Sequence, residues 1–199
     1  MLKIDRQNKK GASQPLERNI MKCSPEVSFE NDSFAFLFSE MVQYSLSCLK
    51  PGIRLEDKLH EMGISVGFKI VELISIRDKA HQKRETRILQ ILSFISQKCW
   101  KYLFGHTGDL LKGQESDDEY MINDKNLLLN KFISVPRDLE HINCGAYAAG
   151  IVSGILDSSE FPANVTAHTT EDTPNNYSTT ILIKFDKSVL LRDKSIQSF

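Results

Sequence analysis

Three groups of residues have the types that chemistry needs. His141 and Cys144 stand three apart where an apolar helix is expected to begin, so an imidazole base could sit beside a thiol whose ionisation the helix dipole favours. Those are the ingredients of a Cys-dependent transferase. His168, on the strand face opposite Val165 and Ala167, could serve as a base beside an acid such as Asp186. Asp117, Asp118 and Glu119 set three carboxylates in succession in a turn.

Each group also has a plainer account. Cys144 opens a run of apolar residues, where a thiol packs as a small hydrophobe. A strand histidine with no nucleophile or cofactor motif beside it is structural or solvent-facing. Consecutive carboxylates in a turn suit solvation better than a shared metal. GxGxxG, GxxxxGK followed by Ser or Thr, HExxH and GxSxG are all absent from the sequence. Cys23, Cys48, Cys99 and Cys144 are far apart, with no CxxC pair, which argues for reduced thiols and against a zinc site or disulfide framework. No catalytic, metal-ligating or cofactor-binding residue is assigned, and the chain is expected not to be an enzyme.

The elements that would hold such groups follow from composition and periodicity. At 199 residues and 41% hydrophobic content the chain suits one domain with a substantial core. Its 25 Lys and Arg against 26 Asp and Glu favour no nucleic-acid partner. The most apolar segment, 144–156, contains Ser153 and falls short of the ~20 residues of a spanning helix. Residues 1–22 lack the apolar run of a signal peptide, which places the chain in the cytosol or on the cytosolic face of a membrane. They carry Lys3, Arg6, Lys9, Lys10, Arg18 and Lys22, and read as a flexible basic arm in contact with solvent or, alternatively, a membrane surface. The domain is expected over 23–190, with a tail over 191–199.

Within it, Phe34, Leu37, Phe38, Met41, Val42 and Leu49 recur at helical spacing after a cap at Asp32 or Ser33. A second helix over 54–77 turns Leu55, Leu59, Met62, Val66, Ile70 and Leu73 inward, and Gly63 with Gly67 bares one face for close backbone approach, or else marks a break at Gly63. A third over 86–104 turns Ile88, Ile91, Leu92, Ile95, Cys99 and Leu103 inward, with Leu89, Phe94, Trp100 and Phe104 around it. Leu110–Lys112 and Tyr120–Ile122 read as one hairpin. Val165–Thr169 and Thr180–Phe185 read as another, with a turn over 170–176. Between the hairpins, a helix over 143–157 stacks Ala146, Gly150 and Gly154 in a small-residue row. The sum is an α+β domain with antiparallel strands and helices segregated to one face.

The first two helices are apolar over more than the arc an ordinary surface helix shows. Phe36 and Tyr44 lie off the first stripe, and Ile64, Phe68 and Val71 form a second stripe on the next helix. These five are the candidate partner interface. An alternative is a lipid- or acyl-chain-binding domain whose surplus apolar faces line a cavity.

Several segments together resemble one family, the small core subunits of the TRAPP vesicle-tethering complex. They are PLER at 15–18, FAFLFSEMVQ at 34–43, MGISVGFKIVE at 62–72, RET at 84–86, ISVP at 133–136, NCGAYAAGIV at 143–152, FPANVTAH at 161–168 and IKF at 183–185. The resemblance implies helices packed on one face of a four-stranded antiparallel sheet, used as a brick in an elongated row of subunits. Its neighbours there would be homologues of the palmitoylated subunit 3 and of subunit 2. It further implies a cytoplasmic location, peripheral at endoplasmic reticulum and cis-Golgi membranes, with a Rab GTPase met through the assembled complex and nucleotide exchange supported architecturally. In the palmitoylated relative the acylated Cys lies four residues before RET; here that position is Ala80, so no lipid is carried over. The acidic turn near Asp117 and an inserted loop over 170–177 depart from the family pattern.

Overall fold

In the computed structural model the described residues are 28–77, 84–113, 118–131, 133, 142–173 and 176–197. The expected basic arm, Ala80, His141 and Asp117 lie outside them. Helix α1 runs Ser28–Ser47, starting one turn before the cap expected at Asp32 or Ser33. Helix α2 runs Leu55–Arg77 without a break at Gly63, and carries Glu56 and Asp57 in its first turn and Arg77 in its last, each matched to the dipole at its end.

Helix α3 covers 88–104, but its middle turn, Phe94–Cys99, is a π-helix between the α-helical segments Ile88–Ser93 and Trp100–Phe104. A π turn adds a residue to the helix and advances the phase of everything after it. That corrects one expectation: Trp100 is buried at 1% exposure, whereas Leu103 is only half-buried. Gly105, in the left-handed conformation at φ 82°, donates its N–H to the Lys101 carbonyl and ends the helix.

Strands β1 (Asp109–Lys112), β2 (Glu119–Asp124), β3 (Ala163–Thr173) and β4 (Asn176–Phe185) form an antiparallel sheet in the order β1-β2-β4-β3. The first hairpin pairs Leu110 with Ile122 and Lys112 with Tyr120. The second is longer than the periodicity suggested, because pairing continues past Thr170 to Thr173 opposite Asn176. Tyr120, Ile122, Val165, Ile181, Ile183 and Phe185 alternate along the strands and are buried on one face. Short helix α4 (Leu128–Lys131) follows β2, and α5 (Gly145–Ser158) lies on the sheet with every residue from 145 to 156 buried.

Against the other side of α5 runs α2, parallel to it, with His60 opposite Gly150 and Ile64 opposite Gly154. A Cβ at Gly63 would strike the Tyr147 carbonyl, at Gly67 that of Ile151, at Gly150 that of His60 and at Gly154 that of Ile64. Backbone therefore lies on backbone, each helix supplying two glycines. The close approach foreseen for Gly63 and Gly67 and the small row of α5 are two halves of one contact.

The expected carboxyl-terminal tail is instead helical as far as residue 197, in α6 (Lys187–Gln197). Val189 is buried in the core, and the Arg192 guanidinium lies 4.6 Å from the Phe161 ring centroid. Asp193 Oδ1 accepts the Ile88 N–H at 3.2 Å, closing an open donor at the start of α3.

Gly154→Ala is expected to lower the unfolding free energy by about 2 kcal/mol or more, because overpacking against rigid backbone outweighs the ~1 kcal/mol that Ala gains in helix propensity. Ser65→Ala, on the exposed side of α2, is expected to stay within about 0.5 kcal/mol. Urea unfolding of the two variants beside the unmodified chain checks this contrast.

Candidate functional site

The residues with chemical potential do not assemble. Burial pushes the Cys144 thiol up to about 11, with the Glu56 carboxylate adding to the effect, so the helix terminus activates nothing. Cys99 is likewise pushed up to about 12 by burial. His168 is exposed and exchanges a hydrogen bond with Thr166 Oγ1 at 2.9 Å. It pairs across the sheet with Thr180, while Asp186 follows Phe185, the partner of Ala163, so the supposed acid lies roughly 20 Å along the strand. Glu119 is held by Lys184 Nζ at 2.9 Å, and the Asp118 carbonyl accepts the Phe185 N–H. Among the described residues, no three His, Cys, Asp or Glu side chains are grouped to hold a metal.

What the structure does offer is an apolar helix surface. Helix α1 packs on α2, with Ser45 Oγ 3.6 Å from Met62 Sδ, and reaches the core through Phe38, which lies 5.3 Å from the Tyr147 ring, centroid to centroid. Phe34 stacks on Phe38 from the preceding turn. The opposite side of α1 has no such cover among the described residues: Phe36 is 77% and Tyr44 69% exposed. Leu37, assigned to the inward stripe, is 60% exposed and belongs to this outer face. The heptad-like spacing of 34, 37, 38 and 41 fits a stripe centred on Leu37 as well as one centred on Phe38, and only the docking angle on Tyr147 selects between them.

On α2 the five-residue candidate set divides. Phe68 is 47% exposed, whereas Ile64 is half-buried with its backbone against Gly154, and Val71 is half-buried against the core. Ile74, absent from the inward stripe, is buried, and Ile76 near the helix end is 70% exposed. Within α2, Lys58 donates to Glu61 at 2.6 Å, and that bond and the Glu61 charge raise the Lys58 pKa, with Tyr44 of α1 adding last and in the same direction. Phe36, Leu37, Tyr44 and Phe68 thus form an outward apolar set on a paired-helix scaffold, the composition of a partner contact more than of a catalytic pocket.

The groove at the amino-terminal ends of α2 and α5, of about 640 Å³, is lined by Arg54, Glu56, Asp57, His60, Asn164 and His168 among others. Ile142, Ala146, Ala149, Val165 and Ala167 also line it, but the charged side chains of Arg54, Glu56 and Asp57 among them do not suit an acyl chain. No helix among the described residues is long and apolar enough to cross a membrane.

Native alkylation is expected to label exposed Cys48 quickly and to leave Cys144 and Cys99 untouched until denaturant is added. Peptide mapping by mass spectrometry reads the difference, and rapid labelling of Cys144 in the native chain would restore the thiol chemistry.

Residues 34–186 match the family model described as transport protein particle (TRAPP) component. Trafficking protein particle complex subunit 5 of Dictyostelium discoideum is 49% identical over 180 residues, covering 89% of this chain and 95% of the relative. The subunit 5 of Homo sapiens is 37% identical over 190 residues, covering 94% and 96%. Among solved structures, a trafficking protein particle complex subunit 3 from Naegleria fowleri, covalently bound to palmitic acid, superposes with a TM-score of 0.65 at 16% identity, covering 79% of this chain and 96% of that one.

Proposed function

The chain belongs to the TRAPP component family, and from that premise we propose that it is an architectural, non-catalytic subunit of the trafficking particle, docking its neighbours through the outer face of α1 and α2. The carrying observation is the exposure of Phe36, Leu37, Tyr44 and Phe68 on helices whose other faces already fill a core. Surface of that kind is normally covered by a partner. Ile64 and Val71 contribute by stiffening the face from beneath, since their burial ties it to α5 and the core.

The neighbours in this reading are a subunit 3 homologue and a subunit 2 homologue, and the assembled particle acts at endoplasmic reticulum and cis-Golgi membranes on a Rab GTPase. Its part in nucleotide exchange is then a supporting one.

Co-expression with a subunit 3 homologue is expected to yield a stoichiometric complex, and the chain expressed alone is expected to aggregate. Phe36→Asp and Phe68→Asp should each weaken that complex at least tenfold while shifting the unfolding midpoint little, because a charge in a desolvated contact is costly but an exposed one is not. Val71→Asp should do the reverse and destabilise the fold itself. A stable monomer in sedimentation that ignores the subunit 3 homologue would overturn the proposal.

A further inference from the structure

The two edges of the sheet are not alike. In the order β1-β2-β4-β3, strand β1 closes one edge with four residues that begin at Asp109 and end at Lys112, the short and charged form that discourages a further strand. Strand β3 closes the other with eleven residues, and no Lys, Arg, Asp or Glu occurs on it before Glu171. Two hydrogen bonds fix the phase of its ladder. The Asp186 N–H donates to the Pro162 carbonyl at 3.1 Å, so the even-numbered residues turn their backbone groups toward β4. The Ala167 carbonyl is turned the other way and accepts from Asn143 Nδ2 at 3.1 Å. The N–H groups of Ala163, Val165 and Ala167 and the carbonyls of Ala163 and Val165 therefore point away from the sheet, and no described residue makes a hydrogen bond to them.

This open edge is one wall of the groove at the amino-terminal ends of α2 and α5. The facing wall is Arg54 and the first turns of α2, and Ala146 and Ala149 of α5 lie between the two. Small residues there leave space beside the strand. Arg54 lies 3.5 Å from Glu56, whereas Asp57 is exposed and has no ion pair among the described residues. Arg54 against Glu56 and Asp57 leaves one carboxylate uncompensated.

We propose that the β3 edge is a second docking surface, which takes an extended segment of a partner protein as a fifth strand. Alternate side chains of that segment are apolar and lie over Ala146 and Ala149, and a lysine or arginine stands opposite Asp57. The edge itself dictates the class of occupant. Its outward donors and acceptors recur at every second residue, roughly 6.8 Å apart, and an extended peptide backbone has the same repeat. Asn143 closes the edge at the Ala167 carbonyl, so pairing over 163–167 asks for a segment of about five residues. Because α2 stands over the groove, a single strand enters where the helix-covered sheet of a second copy would meet it. The surface shares no residue with Phe36, Leu37, Tyr44 and Phe68, and it stands whatever covers them.

The probe is a fluorescent peptide of alternating valine and threonine with one central lysine, titrated by anisotropy into the full chain, with the subunit 3 homologue present where solubility requires it. It is expected to bind saturably below about 1 mM, at least tenfold tighter than its glutamate counterpart, and Asp57→Lys should reverse that order. Methylating the backbone nitrogens of alternate residues should weaken binding at least tenfold in one phase and spare it in the other, since a strand at an edge uses every second N–H. Ala163→Pro removes an outward N–H at the first position of a strand, where proline is tolerated, and should weaken binding about tenfold. No binding below about 1 mM, or both methylated phases binding like the unmodified peptide, would overturn the proposal. So would a concentration-dependent dimer in sedimentation that Ala163→Pro abolishes, which gives the edge to a second copy. A tenfold gain in peptide affinity on Lys9→Glu with Lys10→Glu would overturn it too, by giving the edge to the chain's own basic arm. Should Ala163→Pro fail to fold, the methylated peptides decide alone.

Discussion

The contact on which the rest of the fold depends is the one between α2 and α5. Gly63 and Gly67 on one helix and Gly150 and Gly154 on the other bring carbonyls into the space that side chains would otherwise occupy. Dispersion between closely fitted surfaces then replaces the interlocking of large residues. Because α5 is sandwiched between this contact and the sheet, its whole circumference from 145 to 156 is buried. The α2 rotation is fixed by the same contact, and that rotation decides which of its residues face outward.

From this constraint the apolar outer face follows. With Gly63 and Gly67 against α5, Leu59 and Ile70 are carried into the core, and Phe68, next to Gly67, is carried away from it. Helix α1, fastened to the pair by Phe38 on Tyr147 and by Ser45 near Met62, then presents Phe36, Leu37 and Tyr44. A subunit whose core is closed by backbone contact can expose large side chains without loosening, since those side chains contribute little to its own packing. That division of labour suits a structural component of a larger particle.

Much of this was legible in the sequence because glycines four apart, alternating strands and helical stripes each report a local geometry. The α+β class, both hairpins, the three long amino-terminal helices and the exposure of Phe36, Tyr44 and Phe68 all follow from such patterns. What escaped has a common physical origin in phase. One added residue in the π turn places Trp100 inward, and the docking of α1 through Phe38 on Tyr147 leaves Leu37 outward, neither of which a fixed 3.6-residue period can register. The hydrogen-bond partner of Trp100 was equally hidden, since Asp124 is brought to it only by tertiary folding. Helix α6 was missed for another reason: its sequence is polar overall, and it is held by Val189, Asp193 and Arg192 reaching separate parts of the domain.

The glycine contact also imposes an order in time. Gly67 and Gly154 are separated by almost ninety residues of chain, so at synthesis rates of about 5–20 residues per second the partner of α2 emerges roughly 4 to 18 seconds after α2 itself. Throughout that interval the nascent helix has neither its backbone neighbour nor its core, and both of its apolar stripes are open to solvent. Helix α2 is therefore left uncovered first by the order of its own synthesis, before any companion in the finished particle can meet it.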